Sequence, residues 1–89
     1  MFYVYILKSL KTGQYYIGQT NNIIARLGRH NSNSVSSTKN KGPWEIFHKE
    51  NFRDRVSAIK REKQIKSWKS RKAIERLKFL EKIEDPRFQ

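Results

Sequence analysis

An α+β fold with a small, mainly antiparallel three-stranded sheet and flanking helices is predicted by three features of the chain. Phe2-Tyr3-Val4-Tyr5-Ile6-Leu7 is an almost unbroken aromatic and β-branched run, the composition of a strand covered on both faces. A turn signal at Lys11-Thr12-Gly13 separates it from a second run, Tyr15-Tyr16-Ile17-Gly18, as in a hairpin. Further on, three stretches carry apolar residues at helical spacing. The expected order is β-β-α-β-α-α within one domain over residues 1–89.

The elements follow in chain order. Residues 2–8 and 13–19 are the two hairpin strands. A four-residue loop between Lys8 and Gly13 would put Tyr5 opposite Tyr16, with both phenols on one face. Asn21 or Asn22 caps a helix running to about Asn31. Ile23 and Leu27 mark its apolar stripe, and Arg26 and His30 lie one turn apart on the flank of that stripe. Residues 31–42 are Ser- and Asn-rich without periodicity, which reads as a flexible polar loop. Trp44 to Lys49 forms the third strand, with Trp44, Ile46 and His48 on one face and Phe47 on the other. Asp54 caps a helix to about Lys69. Ser70 caps a last helix over about 71–84, with Ala73, Ile74, Leu77 and Leu80 on its apolar side and Pro86 ending it.

Composition removes several classes. The 89 residues include no cysteine, so there is no disulfide framework, Cys-ligated zinc or thiol nucleophile. No apolar run approaches a membrane span, and the N-terminus lacks the layout of a secretory signal. The cytoplasm is the expected location. Lys and Arg number 20 against 8 acidic residues, a net charge of +12. That balance favours a polyanionic partner, with nucleic acid ahead of an acidic membrane surface. Residues 1–44 contain no acid at all, so any carboxylate chemistry must come from the second half.

One of those acids is out of place. On a helical wheel of the 54–69 segment, Ile59 and Trp68 bound the buried arc, and Glu62 falls inside it, about 40° from Ala58. An inward carboxylate needs a cation or a strong donor. Read singly, Glu62 is an ion-pair partner of Lys66 or Lys69, a metal ligand, or a catalytic acid. Likewise, Tyr5 and Tyr16 read singly are half-buried sheet aromatics, Arg26 is a surface arginine, and His30 is a histidine favoured at a helix C-terminus.

Taken together and in order, these residues resemble the GIY-YIG nuclease superfamily, and in particular its small single-domain bacterial branch. Tyr3-Val4-Tyr5, then Tyr16-Ile17-Gly18 and Gly18-Gln19-Thr20, then Arg26, His30 and a later helical Glu62 follow the family signature over nearly the whole chain. Two positions depart from it. The first motif's Gly and Ile are Tyr3 and Val4 here, and Asp85 is the nearest counterpart of a C-terminal asparagine found in many members. The resemblance implies a nuclease that hydrolyses phosphodiester bonds with one Mg²⁺ or Mn²⁺ ion held by Glu62. DNA is expected ahead of RNA, and structured or damaged DNA in repair or recombination is the expected setting. It also implies that Tyr5, Tyr16, Arg26, His30 and Glu62 form the catalytic set. The alternative is a catalytically weak or inactive protein that keeps the fold and binds DNA, RNA or the ribosome.

The residue types suit that chemistry. Mg²⁺ keeps much of its water shell, so one carboxylate can anchor it while substrate phosphate supplies another oxygen. Arginine always carries its charge and can grip two phosphate oxygens. A tyrosine hydroxyl can orient or activate water, and a histidine can serve as base or proton relay. Lys39 and Lys41 on the loop, with Lys60, Arg61, Lys63, Arg71, Lys72 and Arg76 on the last two helices, are the candidate phosphate contacts, which bind without reading sequence.

Overall fold

The computed structural model describes residues 1–84, and the side chains within them as far as Lys78. Asp85, Pro86 and the Leu80 side chain lie outside the described residues. Three strands, β1 (Phe2–Ser9), β2 (Tyr15–Thr20) and β3 (Trp44–Phe52), form one antiparallel sheet in the order β2-β1-β3. Three helices accompany them: α1 (Ile23–Asn31), α2 (Arg55–Ser67) and α3 (Arg71–Glu84). The expected α+β order is the one observed.

The central strand explains the architecture. Val4, Tyr5, Ile6 and Leu7 are each at most 1% exposed, because β1 is paired along both edges and covered on both faces. Val4 and Ile6 pack with Ala58, Ile65 and Ile74 from α2 and α3. Tyr5 and Leu7 face the other way, into a cluster with Trp44 and with Ile23 and Leu27 of α1. The sheet thus separates two small cores, and adjacent residues of one strand serve different ones.

The helices begin where local chemistry starts them. The Asn22 side chain accepts from the Ala25 N–H at 3.1 Å, and Asp54 accepts from the Ser57 N–H at 2.7 Å, each satisfying a donor the helix leaves open. Within α1, Ile23 and Leu27 face the sheet as expected, but His30 is the fully buried residue of the helix. It is the centre of that face at its C-terminal end, not its flank.

Two details of the sheet differ from the sequence expectation. The first strand runs through Ser9 and the second starts at Tyr15, one and two residues later than expected. Ser9 N–H bonds Gln14 O at 2.8 Å, and Gly13 takes a φ of +76°, a conformation glycine adopts without strain. The register therefore pairs Leu7 with Tyr16 and Tyr5 with Gly18. This shift of two preserves the face but not the pairing. In β3, Ile6 pairs with His48 while Leu7 pairs with Ile46, a bulge at Phe47. The extra residue puts Ile46 and His48 on opposite faces, and Phe47 joins the α2 side.

The segment after α1 contains a 3-10 turn, Ser36–Thr38, and returns to the sheet through several bonds. Asn31 donates to Trp44 O at 3.1 Å and accepts from Trp44 N–H at 2.6 Å. Leu10 N–H reaches Pro43 O at 2.9 Å.

On the α2 face, Glu50 accepts from the Arg61 guanidinium at 2.8 and 3.1 Å and lies 2.8 Å from His48 Nε2. Its bonds to His48 and Arg61 pull its pKa down to about 2 against the opposing effect of burial. A depressed carboxylate contributes stability that is complete above its unfolded pKa and lost as pH falls through the folded one. The protein is therefore expected to lose on the order of 2 kcal/mol of stability between about pH 5 and about pH 2 through this group. Urea unfolding across that range should show the gap between wild type and Glu50→Gln closing as the medium becomes more acid. A gap that stays constant would remove Glu50 from the acid limb.

Candidate active site

The site is built around the Tyr5 ring. Tyr5 crosses to its partner Gly18 on β2, and a Cβ at position 18 would lie 2.5 Å from the Tyr5 hydroxyl oxygen and 2.7 Å from Cζ. Only a residue without a side chain leaves room for that ring. The glycine of the second motif is thus required by a cross-strand aromatic.

Tyr16 lies diagonally beside Tyr5 on the same face, with ring centroids 6.3 Å apart. The His30 ring completes the cluster, 6.0 Å from Tyr5 and 4.7 Å from Tyr16. The Tyr5 hydroxyl is 3.1 Å from His30 Nε2, and His30 Nδ1 is 2.8 Å from Thr38 Oγ1. Tyr5, His30 and Thr38 are all buried.

Arg26 on α1 and Glu62 on α2 bear on this cluster through their charges. α2 lies against β1 and the edge strand β2, and from it Glu62 raises the Tyr5 pKa while Arg26, one turn before His30 on α1, lowers it. Burial is the larger influence and, with Tyr16, holds the Tyr5 pKa well above the ordinary phenol range. Burial also lowers the His30 pKa, helped by the positive charges of Arg26 and Arg29. At neutral pH the site thus holds a protonated phenol beside a neutral imidazole. Among the described residues, no carboxylate pairs with Arg26.

Glu62 is half-buried, its side chain 18% exposed, and Oε1 is 2.8 Å from Lys66 Nζ one turn along α2. The ion pair expected of an inward acid therefore exists, and the same acid also acts on Tyr5. Sequence reasoning had treated these as rivals. Among the described residues no three His, Asp or Glu side chains gather. The donor set offered to a cation is one carboxylate, which suits a hard ion that keeps its water and takes an oxygen from phosphate.

A groove of about 430 Å³ opens beside Tyr16, lined by Lys41, Lys66, Lys69 and Arg71 together with Tyr15 and Trp44. The expected basic residues Lys39, Lys41, Lys60, Lys63, Arg71, Lys72 and Arg76 are exposed. Of these only Lys41 and Arg71 line the groove. Arg71 also donates to Gly13 O at 2.8 Å and lies over the Tyr15 ring. Arg61 is not on an open solvent face, as its guanidinium is held by Glu50 and stacked on Trp68. Sequence reasoning missed Lys66 and Lys69 as groove cations, because it weighed them only as partners of Glu62. It also missed Thr38, which sits in a polar run with no periodicity to mark it.

A strand pair carrying two tyrosines and a glycine, backed by an Arg/His helix and met by a glutamate from a later helix, is the frame of a nuclease-type catalytic domain. Residues 1–76 match the GIY-YIG catalytic domain, and the chain belongs to the GIY-YIG family. It is 34% identical over 80 residues to a UPF0213 protein of Staphylococcus haemolyticus, covering 89% of this chain and 93% of that one. A UPF0213 protein of Bacillus pumilus is 34% identical over 79% of this chain and 71% of its own length. Among solved structures, the chain is similar to the solution NMR structure of a UPF0213 protein from Bacillus halodurans. That likeness has a TM-score of 0.57 at 32% identity and covers 90% of this chain and 85% of the other.

The Tyr5–Gly18 contact gives a direct test. Gly18→Ala is expected to push the Tyr5 ring aside, perturb the His30 ring resonances and cost about 1–3 kcal/mol. Gly28→Ala, with nothing within 4 Å of the added carbon, should instead stabilise α1 by about 0.5–1 kcal/mol. Unchanged His30 resonances in a folded Gly18→Ala variant would refute the account of the ring's placement.

Proposed function

We propose that the protein is a divalent-metal-dependent endonuclease that hydrolyses phosphodiester bonds in DNA, with structured or damaged DNA in repair or recombination as its setting. The observation that carries this reading is the buried cluster of Tyr5, Tyr16 and His30, with the Tyr5 hydroxyl 3.1 Å from His30 Nε2, inside a chain that matches the GIY-YIG catalytic domain.

The residues divide the work as follows. Arg26 grips two oxygens of the scissile phosphate and steadies the charge that builds on them. Glu62 holds Mg²⁺ or Mn²⁺, which when bound supplies a Lewis acid for the phosphate and lowers the pKa of water. Tyr5 remains a neutral phenol and orients the attacking water. His30, neutral at working pH, is the base that receives the displaced proton, directly or through the Tyr5 hydroxyl. Tyr16, beside the groove, is the second candidate for contacting the water. Lys41, Lys69 and Arg71 bind the flanking phosphates without reading bases, and Lys39, Lys60, Lys63, Lys72 and Arg76 extend that contact over the surface.

One observation favours a second reading, a nucleic-acid-binding protein (DNA, RNA or ribosome) without catalysis. Lys66 already neutralises Glu62, and in that reading the pair is a permanent tie rather than a contact that a metal displaces. Supercoiled plasmid and branched DNA, incubated at low salt with Mg²⁺ and with chelator, separate the two. Nicking that requires the metal is the expected result. Glu62→Ala should lower it on the order of 10²-fold or more while DNA binding stays within about threefold. Tight binding by the wild type with no cleavage in Mg²⁺ or Mn²⁺ would establish the second reading.

Arg26→Lys provides an independent check on the phosphate grip. It keeps the charge but loses the planar fork, and cleavage should fall about tenfold or more. Near-normal turnover would take Arg26 away from the reacting phosphate.

A further inference from the structure

The loop after α1 contributes one hydroxyl to the interior of the site. Thr38 is fully buried at the end of its 3-10 turn, where its N–H bonds Val35 O at 3.1 Å and its own carbonyl accepts from Trp44 Nε1 at 3.3 Å. Its Oγ1 has two partners, His30 Nδ1 at 2.8 Å and Val35 O at 3.3 Å. A carbonyl only accepts, so the threonine hydrogen goes to Val35, and Oγ1 is left to accept from His30.

That direction propagates. Nδ1 must carry the imidazole hydrogen, Nε2 is then an acceptor, and the Tyr5 hydroxyl 3.1 Å away donates to it. All three contacts become hydrogen bonds when the hydrogens run from Tyr5 to His30 to Thr38 to Val35. In the reverse direction the threonine hydrogen is spent on Nδ1, Val35 O keeps only the Thr38 N–H, and the Tyr5 hydrogen, with Nε2–H now donating to its oxygen, has no acceptor among the described residues. In a buried site an unfilled contact is a real cost.

We propose that Thr38 is a positioning residue: it fixes His30 as the Nδ1–H tautomer and so turns the Tyr5 hydrogen inward, leaving the Tyr5 oxygen lone pairs to receive the attacking water. The water's proton then passes to the Tyr5 oxygen as Tyr5 gives its own to His30 Nε2. The products are a hydroxide, an unchanged phenol and an imidazolium, and no free phenolate forms. This step rests on the nuclease reading, whereas the tautomer does not.

The ring nitrogens report the tautomer directly in ¹⁵N–¹H correlation spectra, with His48→Gln used to assign the two histidines. Wild-type His30 should show a protonated Nδ1 and an unprotonated Nε2 at neutral pH, and Thr38→Ser should preserve both. Thr38→Val, which keeps the shape but not the hydroxyl, should lose the single tautomer and cut nicking about tenfold. Thr38→Ser should restore nicking to within about threefold. An Nε2–H tautomer in the wild type overturns the proposal, as does an unaltered Nδ1–H tautomer in a folded Thr38→Val. If the wild type never nicks DNA, the nuclease reading fails while the spectra still decide the role of Thr38.

Discussion

The packing of one phenol ring over one glycine governs the rest of the site. Tyr5 is fully buried, and its ring can lie across β2 only because position 18 presents backbone alone. From there the hydroxyl meets His30 and lies within the influence of the charges of Arg26 and Glu62. His30 and Arg26 come from α1, and Glu62 comes from α2. A ring lying elsewhere would leave three correctly formed elements with nothing to converge upon.

Burial then sets the electrostatics. A chain of net charge +12 has cations to spare, and it uses them unequally. Arg61 is committed to Glu50 and Trp68 and serves the α2 core. Arg26 keeps its charge near the phenol and helps hold His30 neutral. Lys66 spans both uses, because it binds Glu62 and also lines the groove. Position relative to the sheet, more than residue type, separates structural cations from those open to a ligand.

Much of this was legible in the sequence, for identifiable reasons. The aromatic run at Phe2–Leu7 could only be a strand with two covered faces, and caps at Asn22 and Asp54 marked helix starts that the structure keeps. Glu62 stood out because its angle on the wheel contradicted its charge. What was not legible depended on contacts distant in the chain. The hairpin register turned on where the turn bent around Gly13, and the faces of Ile46 and His48 turned on a bulge at Phe47. Strand alternation carries no trace of an inserted residue until the partner strand is known. The sequence puts His30 on a flank because its helix has few apolar residues to define the buried direction. Thr38 gave no signal, since its neighbours are polar and its partner is a ring eight residues earlier.

The two-core arrangement restricts how this chain can vary in length. In β1 the residues alternate between an apolar cluster under α2 and the phenol cluster under α1. An insertion or deletion of one residue there would exchange Tyr5 for Val4 or Ile6 and drive a hydroxyl into hydrocarbon. Changes in length are thereby confined to the turns and the segment between α1 and β3, while the first strand must be inherited whole.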